Sequence, residues 1–310
     1  LLIPEESFMP PPSVVKAIVP VAGLGTRLLP ATKSMPKEML PVGRKPVVQY
    51  VAEELQAAGI PQILLITGRR KQAIEDHFDA DPELTAALQR AGNERMLADL
   101  AYTDSGTRFF YTRQAEPRGL GDAVLYGAEF AGNEPCVVAL GDSIIYGERP
   151  GSTLRALVAG HFASGACATV LVEDVAPDDV YRYGIVAPAD AGELPIGEPF
   201  RLRDIVEKPR VGAAPSCLAV AARYILNPDI FDALRQTPLD SRGELQLTDA
   251  IRLLIQWGRP VYAWRLRPSE QRYDIGNFES YFRAFVDFAL ADERYGYTLR
   301  KYLKARAYDI

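Results

Sequence analysis

Histidine and cysteine are scarce in this chain, with two and three respectively among 310 residues. His77 and His161 lie 84 positions apart and neither has metal-ligand spacing, which argues against zinc chemistry and histidine-based hydrolysis. Cys136, Cys167 and Cys217 are odd in number and far apart, so no disulfide framework is expected; they read as small buried residues in a reducing compartment. Basic residues are not in excess. Lys and Arg total 35 against 40 Asp and Glu, a net charge of −5, and no global field points to nucleic acid. The longest apolar runs, QILLIT and CVVAL, are strand-length and far short of the ~20 residues a membrane span needs. No basic stretch followed by an apolar core opens the sequence, so a cytoplasmic protein is expected.

What is present is alternation. Lys16–Val21, Ile63–Thr67, Phe109–Arg113 and Cys136–Leu140 read as buried strands. A helix fits between the first two, with Val48, Val51, Ala52, Leu55 and Ala58 on one face and Gly59 as its stop. Gly121–Phe130 is a second helix. This order predicts an α/β, Rossmann-like fold with a mixed, mostly parallel sheet flanked by helices. From about Ala166 strands dominate: Ala168–Val172, Tyr183–Ala187, Leu202–Glu207, Leu218–Tyr224 and Val261–Leu266, with a helix over Leu245–Trp257. Residues 1–13, with four prolines, read as a loosely held arm. Residues 14–277 then form the catalytic domain and 278–310 a helical C-terminal appendage. Its Tyr281, Phe282, Phe285, Phe288 and Ala289 face packs on its own domain or makes an oligomer contact.

The first strand runs into Ala22-Gly23-Leu24-Gly25-Thr26-Arg27. Glycines there let backbone N–H groups wrap an anion. A Walker loop is excluded because no Gly-Lys-Ser/Thr follows. A dinucleotide fingerprint is excluded because Leu28 stands at its sixth place, and Thr67-Gly68-Arg69 brings no ribose-binding acid. Arg27 and Lys37 add fixed cations on a stretch that Pro30, Pro36 and Pro41 make an extended loop. Solvated surface cations would explain any one of these residues, but poorly explain the whole set. A nest with cations suits a triphosphate whose pyrophosphate must leave.

AGLGTRLLPATKSMPKEMLPV resembles the signature of the nucleotide-sugar pyrophosphorylases, and its ATK…PKEMLP form resembles the bacterial UTP–glucose-1-phosphate uridylyltransferases. The resemblance extends over nearly all of residues 14–290. It implies that Ala22, Gly23, Leu24, Gly25, Thr26, Glu38, Gln114 and Gly119 contact the nucleotide. The Gln114 amide offers a donor and an acceptor to a pyrimidine edge. Arg118 stands where the family commonly has lysine, and Asp122 where histidine often stands. Asp142, after the CVVALG strand, falls at the carboxyl edge of a parallel sheet, where ligands bind, and the family places a Mg²⁺-binding aspartate there. Gly184, Glu207 and Lys208 match the sugar-phosphate pocket. Asp274, in RYDIGN, is either a second metal ligand or a helix cap. Gly243–Asp249 is also family-like.

The implied reaction is uridylyl transfer from UTP to glucose 1-phosphate, assisted by Mg²⁺, with Arg27, Lys37 and Lys208 as the catalytic cations. No nucleophile–base pair is needed, because a phosphate monoester attacks. A homodimer or homotetramer is implied, without nucleic-acid or membrane partners. The alternatives are a thymidylyltransferase, to which the Pro-Lys-Glu-Met form is the less suited, and a silent sensor that keeps the fold.

Overall fold

The computed structural model describes residues 13–104 and 106–306; of the expected arm, residues 1–12 lie outside the described residues. Thirteen strands are described: β1 Lys16–Pro20, β2 Pro41–Val42, β3 Lys45–Pro46, β4 Gln62–Thr67, β5 Arg108–Arg113, β6 Cys136–Ala139, β7 Ser143–Tyr146, β8 Ala168–Asp174, β9 Gly184–Pro188, β10 Pro199–Glu207, β11 Leu218–Leu226, β12 Val261–Arg265 and β13 Gln271–Asp274. Nine of them form one sheet in the order β5-β4-β1-β6-β11-β8-β12-β10-β9. The pairings from β5 through β6 are parallel, as is β8 with β12; β11 and β10 pair antiparallel with their neighbours. The sheet is mixed, and its parallel half is the one that carries the glycine-rich turn.

Side chains alternate across this sheet as the pleat requires. Ile18, Val138, Val170 and Tyr224 enter one apolar core, while Val19, Val137, Leu171 and Ile225 enter the other. Helices cover both faces, which explains why these strands are apolar without interruption. Val48, Val51, Ala52 and Leu55 of α1 (Val47–Ala57) are buried in the second core, and Gly59 ends the turn at φ 85°. Three surface helices follow, α2 Gln72–Phe78, α3 Pro82–Arg90 and α4 Glu94–Leu100; α3 and α4 bury no residue. The expected Gly121–Phe130 helix divides into α5 Leu120–Leu125 and α6 Ala128–Ala131. The break falls at Gly127, where a Cβ would lie 2.4 Å from Ile18 Cδ1.

Later helices are α7 Ser152–Ala163, α8 Asp229–Gln236 and α9 Leu247–Gln256, then α10 Phe278–Ala291 and α11 Gly296–Arg306. The C-terminal face predicted as one surface is shared between two environments. Phe288 and Tyr281 pack with Tyr50, Tyr273, Leu28 and Ile144 in a small third core, whereas Phe282 and Phe285 are exposed. Helix α10 is therefore packed onto the body, and the Tyr281 hydroxyl donates to the Pro41 carbonyl at 3.0 Å.

Candidate active site

Strand order reverses at β1, which lies between β4 and β6, and the glycine-rich turn leaves the carboxyl end of β1 at this switch point. Gly25 turns the chain at φ 67°, and Thr32 Oγ1 donates to its carbonyl at 2.8 Å. The following stretch is three single turns of 3₁₀ helix at Thr26–Leu28, Ala31–Lys33 and Lys37–Met39, with prolines between, in place of a plain extended loop. Leu28 is wholly buried in the third core, which is why no glycine stands there: the residue plugs the loop onto the body.

Lys37 passes beneath Gly23 and its Nζ donates to Asp142 Oδ2. Burial alone would lower the lysine, but the Asp142 and Glu38 carboxylates outweigh it and hold the ammonium well above its ordinary value. Burial likewise works against the Asp142 carboxylate, and Lys37 overcomes it, holding that group below its ordinary value. Glu38, with 1% of its surface exposed, lines the same cavity as the nest, and its carboxylate accepts from Lys71 Nζ at 2.7 Å. Burial pushes Glu38 up in spite of Lys71.

Strand β13 pairs antiparallel with β7, aligning Asp274 with Ser143, and the Ile275 amide donates to the Asp142 carbonyl at 2.9 Å. Two aspartates from distant parts of the chain are thereby neighbours. Burial, then the Asp142 charge, pushes Asp274 up. The cap of α10 is Asn277, whose Oδ1 accepts from the Ser280 amide at 3.0 Å, so the cap reading does not apply to Asp274. A Cβ on Gly276 would come 3.1 Å from Asp274 Oδ2 and 3.2 Å from Arg27 Nη2, so glycine leaves room for that carboxylate and guanidinium. Among the described residues no cluster of three or more His, Cys, Asp or Glu could enclose a metal. Two half-buried carboxylates beside an open cavity fit a hard cation that draws its other ligands from phosphate and water.

Two cavities meet at this point. One, of about 460 Å³, is lined by Ala22 to Arg27, Lys37, Gln114, Gly119 and Asp142. The other, of about 230 Å³, is lined by Arg27, Asp142, Gly184, Glu207, Lys208 and Asp274. Arg27 and Asp142 line both. Lys208 adopts a left-handed φ of 44°, and its Nζ lies 2.9 Å from Glu207 Oε1. Glu207 Oε2 accepts from Thr248 Oγ1 at 2.8 Å.

The family profile described as nucleotidyl transferase matches residues 16–290, from β1 into α10. The chain belongs to this family. A Staphylococcus saprophyticus family member named UTP–glucose-1-phosphate uridylyltransferase 1 is 41% identical over 292 residues, 94% of this chain and 98% of its own length. A UTP-bound UGPase from Acinetobacter baumannii has the same fold at a TM-score of 0.85 and 37% identity, over 94% of this chain and 99% of that one. A UDP-glucose pyrophosphorylase complexed with UDP-glucose follows at 0.80 and 35%, covering 90% of this chain and 100% of that one. A putative glucose-1-phosphate thymidylyltransferase from Bacillus anthracis is more distant, at 0.65 and 26% over 88% of this chain and 95% of that one.

Within this nucleotidyl transferase, Gly119 and Gly121 answer to a packing contact inside the fold. Gly119, at φ 98°, would place a Cβ 2.5 Å from the Leu245 carbonyl oxygen, and Gly121 would place one 2.9 Å from it. The glycines serve a packed backbone contact, sealed by Leu245 N–H donating to the Arg118 carbonyl and Gly121 N–H donating to the Leu245 carbonyl, each at 2.8 Å. Gly184 leaves room for Thr248 Oγ1, 3.0 Å from where a Cβ would stand. Sequence reasoning assigned no role to Thr248, Lys71, Arg272 or Arg223. Thr248 and Arg272 lie inside the quoted family-like segments, so a signal existed for them. Lys71 and Arg223 had none, because each is defined by a partner far away in sequence.

Proposed function

We propose that the chain transfers a uridylyl group from UTP to glucose 1-phosphate, releasing pyrophosphate and forming UDP-glucose. The observation that carries this reading is the junction at Asp142, where a cavity below the glycine nest and a cavity bearing Glu207 and Lys208 share Arg27 and Asp142. A nucleoside triphosphate in the first cavity and a sugar phosphate in the second would meet there. An oxygen of the sugar phosphate forms a bond to the α-phosphorus in line, while the bond from that phosphorus to the bridging oxygen breaks and pyrophosphate leaves.

The nest amides and Lys37 would hold the triphosphate, Arg27 would follow the charge on the transferring group, and Lys208 would hold the attacking phosphate. Glu207, held by Thr248, accepts from sugar hydroxyls. Asp142 and Asp274 would hold Mg²⁺, which when bound supplies positive charge to the α-phosphate. No side chain needs to be deprotonated for attack, in keeping with the two histidines lying elsewhere: His161 in the core and His77 against Tyr102. The names of the relatives at 41% and 37% identity support uridine and glucose over the thymidine reading. A cytoplasmic setting belongs to the same proposal, supported by three free cysteines. Among the described residues no helix is long and apolar enough to cross a membrane.

The test is pyrophosphate release with Mg²⁺ and glucose 1-phosphate, comparing UTP with dTTP. A UTP preference of at least ~10-fold is expected. Preference for dTTP would transfer the assignment to the thymidylyltransferases, and nucleotide binding without release would make the chain a sensor.

A further inference from the structure

Asp122 is hydrogen-bonded to Gln114, a polar side chain that lines the nest cavity. Gln114 follows β5 directly, is 4% exposed and lines the nucleotide cavity. Its backbone N–H donates to the Thr67 carbonyl at 2.9 Å, which holds the main chain to β4. At the other end of the side chain, Nε2 donates to Asp122 Oδ2 at 2.6 Å. Asp122 is itself held in place. It lies in the first turn of α5, and the residue before it, Gly121, is tied through its amide to the Leu245 carbonyl at 2.8 Å.

The Asp122 oxygen accepts from Nε2, so it is the NH₂ end of the amide that is turned toward Asp122. The Gln114 carbonyl oxygen is consequently turned the other way. This decides which base the amide can pair with. Uracil offers a donor at N3 beside an acceptor at O4, and it matches a glutamine whose oxygen meets N3–H. Cytosine offers an acceptor at N3 beside a donor at N4, and it matches the same glutamine only after a 180° rotation of the amide. That rotation would set the Gln114 oxygen against the Asp122 carboxylate, two acceptors at hydrogen-bonding distance with no proton between them.

We infer that Asp122 is a positioning residue for base selection: by fixing the rotamer of the Gln114 amide it makes the site read an N3–H donor and reject cytidine nucleotides. The inference rests on the nucleotide reading of the nest cavity and adds to it the source of the uridine-over-cytidine choice. Thymine carries the same N3–H and O4 as uracil, so the UTP–dTTP choice has to come from elsewhere in the pocket.

The experiment measures kcat/KM for UTP, CTP and dTTP with glucose 1-phosphate, and calorimetric binding of the same three nucleotides without it, in wild type, Asp122→Asn and Asp122→Ala. Asparagine keeps the size but can present either a donor or an acceptor to Gln114; alanine removes the partner altogether. In both variants the UTP:CTP ratio should fall at least ~10-fold while the UTP:dTTP ratio stays unchanged. An unchanged UTP:CTP ratio, or equal loss for all three nucleotides, overturns the inference and leaves Asp122 a structural residue. Absence of turnover in the wild type would count against the uridylyltransferase reading, and the binding ratios would still decide the role of Asp122.

Discussion

Arg223 and Glu54 form a bidentate ion pair out of contact with solvent, with Nη2 to Oε2 at 2.6 Å and Nε to Oε1 at 3.1 Å. The arginine side chain is wholly buried, and two further N–H groups donate to the carbonyls of Ala222 and Ser143, each at 2.9 Å. Ser143 follows Asp142, so this pair ties α1 and β11 to the turn that presents the central aspartate. Arg223→Met should cost about 3–5 kcal/mol, because Glu54 is left as an uncompensated buried charge. Urea denaturation would read the loss, and Arg223→Met combined with Glu54→Leu should recover a large part of it. No recovery in the double variant would mean that the Ser143 contact, and not the charge balance, matters.

Removing the Lys37 ammonium takes away the charge that pairs with Asp142 and that would face the triphosphate. Lys37→Met is expected to lower kcat by about 10²-fold or more. Steady-state pyrophosphate release measures this, and a change confined to KM would assign Lys37 to ground-state binding alone.

Gly119→Ala tests the backbone contact between the α5 turn and Leu245. The added Cβ would lie 2.5 Å from the Leu245 carbonyl oxygen at a φ of 98°, so something must move. A loss on the order of 1–3 kcal/mol is expected from the strained backbone. The displaced turn should also weaken UTP binding, because it carries Asp122 and borders Gln114. Thermal melting and nucleotide titration of one variant check both effects.

Acid sensitivity should come in part from His161. The ring is 1% exposed; its Nδ1 lies 2.9 Å from Thr169 Oγ1 and its Nε2 3.1 Å from Asn227 Oδ1. Asn227 Nδ2 donates to the Ala166 carbonyl, which turns its Oδ1 to the ring, so Nε2 carries the proton and Nδ1 accepts. Burial lowers the histidine from its ordinary value of 6.5. The unfolded chain therefore binds the proton more readily. The stabilising contribution is fully present above about pH 6.5 and is lost as pH falls through the lower, folded-state pKa. Between pH 7.5 and 5 the midpoint of urea unfolding should drop more steeply in wild type than in His161→Gln. Parallel slopes would remove His161 as a cause.

Exposed apolar residues on α10, with Phe282 at 58% and Val286 at 45%, support the proposed homo-oligomer. Light scattering should give a multiple of the 34.1 kDa chain mass, reduced by Phe282→Glu together with Val286→Glu. A monomeric wild type would dismiss the proposal.

The buried strands, the glycine nest and α1 were legible in the sequence because their signals are local: uninterrupted apolar runs, a period of 3.6, and glycine where the chain turns with a positive φ. The loop carrying Arg27 and Lys37 was legible for the same reason, through its prolines and cations. Helices α3 and α4 went unassigned, and both lie on the surface with no residue buried. What only the tertiary structure decided is which residues meet. Asp142 and Asp274 are 132 positions apart and become neighbours through the pairing of β7 with β13. Gly119 was legible only as part of a family-like segment, and that its missing Cβ leaves room for the Leu245 carbonyl became visible in the fold. Asp122 was visible as an unusual residue, and its hydrogen bond to Gln114 became visible only once the turn was folded. Local chemistry writes periodicity and turn preference into a chain, whereas ion pairs and amide rotamers depend on distances that long-range closure creates.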